Sequence, residues 1–206
     1  DLRQVNNYTT PIDYPLPRLE TVAETVKGAT HFATIDLFNG YWQIPLDPEC
    51  AEYFTIRTDR GLYTPTRMLQ GSRNAAGAFQ AAMNEVLGDL IGKICIVYID
   101  DVLIYAKSET ELIDNILTIV QRLHEFQFQI SIKKTVFYQK EVKFCGRIFS
   151  ASGISFDPSF INSVVNMSPP STAAQLRTYL ASCNWVRSSI PRFSELVAPL
   201  QQFLNA

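Results

Sequence analysis

Two apolar runs rich in β-branched residues, 94–98 and 102–106, stand a few residues apart with Asp100 and Asp101 between them. Runs of this length and composition form strands, and so short a break closes them into a hairpin with acidic residues at its tip. Adjacent aspartates ordinarily serve simply as turn residues. Here both flanks are apolar, and two carboxylates at the tip of a buried hairpin repel each other and lose hydration. That costs several kcal/mol per ion unless a cation or hydrogen-bond donors compensate. A divalent metal ion is the natural remedy.

A third carboxylate stands where another apolar strand ends, at Asp36 in Phe32-Ala-Thr-Ile-Asp36. Strand-end aspartates are common, and this one alone decides nothing. If the two strand ends lie side by side, three acidic groups converge on an oxygen-preferring ion, Mg²⁺ or Mn²⁺. Two such ions ~3.5–4 Å apart activate one oxygen as nucleophile and stabilise the leaving oxygen of a phosphoryl displacement. The implied chemistry is nucleotidyl transfer.

The rest of the chain supplies a scaffold for such a tip. Residues 1–28, with Pro11, Pro15 and Pro17, read as an extended lead-in ending in a short helix near 18–26. Strands are expected at 30–37, 41–46, 53–57 and 62–66. Residues 74–91 repeat Phe79, Met83, Val86, Leu87 and Leu90 at helical spacing. Ser108 with Glu111 opens a second helix reaching about 126, and strands near 128–132 and 142–149 return to the sheet. This order predicts an α+β fold, a split βαβ sheet with both helices on one face. Beyond Gly153 the pattern turns helical, with Asp157-Pro158 and Thr172 as caps and Pro169-Pro170 and Pro191 as breaks. Three domains follow: a lead-in at 1–28, a catalytic domain at 29–153 and a small helical unit at 154–206.

Composition excludes several alternatives. The formal charge of −2 announces no polyanion partner, so phosphate contacts must be local or lie elsewhere. The four cysteines form no Cys-x-x-Cys pair and the two histidines have no second ligand at metal spacing, which argues against zinc and a disulfide framework. Isolated thiols fit a reducing, intracellular compartment. No apolar run reaches the ~20 residues of a membrane helix, so no membrane partner is expected. A first residue of Asp1 suggests an excerpt of a longer chain.

Tyr98-Ile99-Asp100-Asp101, together with Thr34-Ile-Asp36-Leu-Phe-Asn-Gly-Tyr41, resembles the palm of a reverse transcriptase, and the whole chain resembles the Pol protein of gypsy-class long-terminal-repeat retrotransposons. Further matching segments are Tyr14-Pro-Leu-Pro-Arg18, Leu69-Gln70-Gly71, Phe79-Gln80, Phe144-Cys145-Gly146 and Gln175-Leu-Arg-Thr-Tyr-Leu180. The resemblance implies an RNA-directed DNA polymerase, a palm followed by a thumb at 154–206, with 1–28 left from the junction of fingers and palm. It implies that Asp36, Asp100 and Asp101 hold two Mg²⁺ or Mn²⁺ ions, the first two as principal ligands. It makes Tyr41 the steric gate against a ribose 2′-hydroxyl and Gln70 a contact of the incoming nucleotide. Leu37 and Phe38 would offer backbone amides to its triphosphate. Phe144, Cys145 and Gly146 would form the primer grip, and Lys134 is a candidate general acid toward the departing pyrophosphate.

The implied partners are an RNA or DNA template, a primer strand, a dNTP and the remainder of a Pol polyprotein, namely fingers, RNase H and integrase. A cytoplasmic virus-like particle is the expected location. Bland alternatives stand beside these roles: Tyr41 as a strand aromatic, Gly146 as a bulge, Lys133 rather than Lys134 facing inward. The chain departs from the family in Asn74-Ala-Ala76, where Asn-Ala-Pro is common, and in lacking the fingers cations that close on the triphosphate. Little processive synthesis is therefore expected of these 206 residues alone. The alternative function is a decayed or co-opted palm that binds nucleic acid or protein without catalysis.

Overall fold

A computed structural model describes residues 1–205 of the chain. They fall into two compact units, residues 1–145 with 149–154, and residues 146–148 with the segment from 155 onward. In chain order the elements are α1 (Arg3–Tyr8), α2 (Leu19–Thr25), β1 (His31–Asp36), α3 (Pro48–Ala51), β2 (Ile56–Thr58), β3 (Gly61–Tyr63), α4 (Ala75–Leu87), β4 (Cys95–Tyr98), β5 (Asp101–Ala106), α5 (Glu109–Glu125), β6 (Val136–Gln139), β7 (Glu141–Phe144), β8 (Arg147–Ser150), β9 (Gly153–Phe156), α6 (Pro158–Val165), α7 (Ala173–Trp185) and α8 (Phe193–Asn205).

The central sheet runs β4-β5-β1-β6, with every described pairing antiparallel. Its strands alternate, and both faces are apolar. Ala33, Ile35, Cys95, Val97, Val102 and Ile104 pack with Phe79, Met83 and Leu87 of α4 and Leu112, Ile119 and Leu123 of α5. The other side chains of the same strands, Phe32, Ile96, Leu103 and Tyr105, meet Leu19, Val22 and Val26 from the lead-in, Val142 and Phe144 of β7, and Phe149. Both long helices thus share one face, as the order of elements predicts, while the lead-in helix seals the other. A strand buried on both faces reads as a continuous apolar run, which is why 94–98 and 102–106 show no polar alternation.

Local chemistry sets the helix ends. The Ser108 hydroxyl accepts from the Glu111 N–H at 3.3 Å, and the Glu111 carboxylate accepts from the Lys107 N–H at 2.8 Å. The expected capping box therefore forms, reaching one residue further back than usual. Arg122 of α5 donates to the Val86 carbonyl and to Asp89, tying the two helices at their shared end. Among the described residues no helix is long and apolar enough to cross a membrane.

Several expected elements differ. Residues 41–46 form no strand: Gly40–Gln43 is a 3₁₀ turn, because Asn39 and Gly40 adopt positive φ and bend the chain sharply after β1. The strand expected at 128–132 shrinks to one bridge, Ile130 with Leu37, since a turn closed by the Ser131 carbonyl ends it. Its place at the sheet edge is taken by β6. Residues 53–57 begin as a 3₁₀ turn, so only β2 and β3 pair, as a two-stranded sheet apart from the central one. The lead-in also contains α1, where extended chain is expected.

In the second unit, Asp157 caps α6 and Thr172 caps α7, each accepting a backbone N–H. Val186 and Val197 are its buried apolar side chains among the described residues. Burial in the first unit separates two residues of α5. Ile119→Ala should cost about 2–5 kcal/mol in urea unfolding, because it empties a filled core position. Leu117→Ala, on the exposed side of the same helix, should stay within about 0.5 kcal/mol of the parent.

Candidate active site

The register of β1 on β5 pairs Ile35 with Val102 and Asp36 with Asp101. The apolar ladder therefore ends on two carboxylates set directly across from each other, an arrangement that is unfavourable without a cation. Tyr98 pairs with Asp101 on the other side, so Ile99 and Asp100 are the two-residue turn of the β4–β5 hairpin. All three predicted carboxylates thus gather at one edge of the sheet. Burial, then the charges of Asp100 and Asp36, pushes the Asp101 carboxyl up to about 6, with Lys134 acting in the opposite sense.

The turn itself is strained. Ile99 has φ of +57°, a left-handed conformation that a β-branched residue enters only under constraint. The constraint comes from Gln80 on α4, which is fully buried. Its Oε1 accepts the Ile99 N–H at 2.8 Å, and its Nε2 donates to the Val97 carbonyl and to Asn84 Oδ1. Asn84 in turn donates to the Tyr14 hydroxyl. On the β1 side, Leu37 N–H donates to the Asp100 carbonyl at 3.2 Å. Gly40 leaves room for the Asp100 side chain, since a Cβ there would stand 2.8 Å from Asp100 Oδ2.

Lys134 reaches the tip through the turn that ended the expected strand. Ser131 N–H donates to the Asp36 carbonyl, and Lys134 N–H donates back to the Ser131 carbonyl. This returns the lysine side chain to β1, where Nζ stands 3.2 Å from Asp36 Oδ2. Two cavities flank it. One of about 260 Å³ is lined by Asp100, Tyr41, Gln70, Gly40 and Lys134, the other of about 160 Å³ by Asp36, Asp101, Lys134, Lys143, Phe144 and Cys145.

Among the described residues no three carboxylate, imidazole or thiolate groups lie close enough to hold an ion as they stand. The donor set nevertheless fits a hard divalent cation: three carboxylates at one edge, one of them driven toward protonation, with an ammonium standing in at the Asp36 oxygen.

The other predicted residues divide. Tyr41 lines the larger cavity from the 3₁₀ turn, its ring edge-on to Phe79 at 5.6 Å, and burial together with Asp100 raises its hydroxyl pKa. Gln70 lines the same cavity. The amides of Leu37 and Phe38 are a correction: both already donate within the fold, to the carbonyls of Asp100 and Gln129, so neither is left for a phosphate. Phe38 also lies outside that cavity, in a separate one with Gln43 and Gln129. Phe144 and Cys145 line the smaller cavity in the first unit. Gly146, in the second unit, makes no bulge. It follows Cys145 with φ of +71° against +47°, the signature of a tight two-residue turn of the mirror-image type between β7 and β8. The sequence gives Gln80 no individual role, although Phe79-Gln80 is one of the segments that carry the resemblance and a glutamine there interrupts the apolar spacing of α4.

Comparison with known proteins bears on the family and the fold. Residues 1–149 match the family described as reverse transcriptase (RNA-dependent DNA polymerase). The chain is 31% identical over 205 residues to the retrovirus-related Pol polyprotein from transposon 297 of Drosophila melanogaster and 32% identical to that from transposon gypsy. Both alignments cover all of this chain and about a fifth of the relative, 19% and 20%. Among solved structures, a foamy viral protease-reverse transcriptase in complex with double-stranded DNA superposes with a TM-score of 0.89 at 25% identity, covering all of this chain and 36% of the other. The foamy viral protein in complex with an RNA/DNA hybrid gives 0.85, also at 25% identity, with 28% of that chain covered.

Two outcomes test the geometry. Gln80→Leu leaves the Ile99 N–H without its acceptor and should lower unfolding free energy by about 1–3 kcal/mol in urea titrations. Asp101 binds its proton more readily in the native chain than in the unfolded one, where a carboxyl titrates near 4. Its ionisation therefore opposes folding above about pH 6, and stability recovers as the pH falls toward 4. Asp101→Asn should accordingly be more stable than the parent at pH 8 by on the order of 1–2 kcal/mol, discounted for partial exposure, and the gap should close near pH 4.

Proposed function

This chain belongs to the reverse transcriptase family of RNA-dependent DNA polymerases, and from that premise we propose that its first unit carries the nucleotidyl-transfer site of a Pol polyprotein. The observation that carries this reading is the pairing of Asp36 with Asp101 beside the Asp100 turn. Asp36, Asp100 and Asp101 would hold two Mg²⁺ or Mn²⁺ ions, with Asp36 and Asp100 as the principal ligands. When bound, the ions activate a primer 3′-hydroxyl and steady the charge of the departing pyrophosphate.

The chain's own residues do the rest. The larger cavity is the nucleotide pocket: Gln70 contacts the dNTP, and the Tyr41 ring, braced by Phe79, fills the space a ribose 2′-hydroxyl needs. A fixed aromatic wall discriminates by exclusion, which needs rigidity rather than affinity. Phe144 and Cys145 border the smaller cavity beside Asp36 and Asp101, where the primer end would lie. Lys134, lining both cavities, is positioned to give a proton to the leaving pyrophosphate. The helical second unit serves as a thumb that follows the template–primer duplex by its backbone.

Single-nucleotide incorporation on a primed RNA template, which needs no processivity, with labelled dNTP and Mg²⁺ or Mn²⁺, tests this function. Asp36→Asn and Asp101→Asn should each lower incorporation by at least about a hundredfold, a loss of several kcal/mol of charge stabilisation. Tyr41→Ala should raise incorporation of ribonucleotides relative to deoxynucleotides. Unchanged incorporation in both aspartate variants would overturn the proposal.

A further inference from the structure

We infer that Lys134 is a cation held at the acidic tip by Asp36, and that a divalent ion binds there by displacing it from that carboxylate. The inference rests on the reading of these carboxylates as metal ligands and adds how their affinity is set.

Lys134 is not a chance surface contact. Its backbone is fastened to Asp36 through the Ser131 N–H bond to the Asp36 carbonyl and the turn that follows, so the ammonium returns to the strand end that carries the carboxylate. Neighbouring Lys133, exposed as Lys134 is, lines neither cavity. Asp36 and Asp101, set across from each other, need a positive charge nearby, and Lys134 supplies one at 3.2 Å. Such an ammonium and a metal ion cannot share the Asp36 oxygen, because the ion must approach to about 2.0–2.1 Å and repels a second cation at that range.

A second cavity beside Lys134 offers the displaced ammonium a place. Lys134 borders this larger cavity on the side lined by Tyr41 and Gln70. A rotation of an exposed, flexible side chain moves the charge from Asp36 toward the nucleotide side without moving backbone. Metal binding at Asp36 and arrival of the ammonium in the nucleotide cavity are then one exchange.

Manganese titration of the 206-residue chain, read by the electron paramagnetic resonance signal of free Mn²⁺ without nucleotide or nucleic acid, tests this. Lys134→Met should bind Mn²⁺ about three- to tenfold more tightly, the range expected from removing a weak, partly exposed competitor and its repulsion. Lys133→Met, with the same loss of charge, should bind as the parent does, and Lys134→Arg should keep the weaker affinity. In EDTA, Lys134→Met should melt below the parent, and saturating Mn²⁺ should remove the difference. Lys134→Met that binds no tighter than the parent, or equal tightening by Lys133→Met, overturns the inference. Asp36→Asn separates the two levels: if it leaves Mn²⁺ affinity unchanged, the metal-ligand reading itself falls; if it weakens binding while Lys134→Met has no effect, only the displacement falls.

Discussion

An antiparallel register that ends an apolar ladder on two facing carboxylates is the constraint from which the rest of this structure follows. Phe32, Ala33 and Ile35 of one strand and Val102 to Tyr105 of the other are buried on the two faces of the sheet, and their packing holds the strands in one alignment. A slip of one residue would turn every side chain to the opposite face and exchange the two cores. Because that is forbidden, Asp36 and Asp101 stay opposed whatever their mutual repulsion. Burial of two hydrophobic layers supplies the free energy that holds like charges together.

The fold answers this repulsion with three local devices. An ammonium sits against Asp36, a buried glutamine fixes the turn that bears Asp100, and a glycine clears space for the Asp100 side chain. Each is a familiar element of protein chemistry, and none is unusual alone. Their convergence on one sheet edge sets this tip apart from an ordinary acidic turn.

Legibility in the sequence followed locality. The β4–β5 hairpin, α4, α5 and the caps at Ser108, Asp157 and Thr172 were readable because spacing and capping chemistry act within a few residues. The turn at Gly40–Gln43 was not, because Tyr41, Trp42 and Ile44 have strand composition and the left-handed backbone of Asn39 overrides it. Strand β6 was missed for the opposite reason: Phe137, Tyr138 and Gln139 are exposed and carry no core pattern. Proximity of Asp36 to the acidic pair was inferable only as a condition. Gln80 and the choice between Lys133 and Lys134 depend on tertiary contacts that no spacing rule encodes. The spent amides of Leu37 and Phe38 show the same limit, since hydrogen-bond satisfaction is a property of the folded chain.

The buried glutamine has one more implication. Tyr14, Asn84, Gln80 and Ile99 form an unbroken relay of hydrogen bonds from the proline-rich arm to the crest of the hairpin. Gly77 lets that arm lie directly on α4, with Tyr14 Cβ 3.1 Å from where a side chain would begin. Displacing Tyr14 from Asn84 would therefore loosen the glutamine that holds Ile99, so the seat of the arm on α4 and the shape of the crest are mechanically linked.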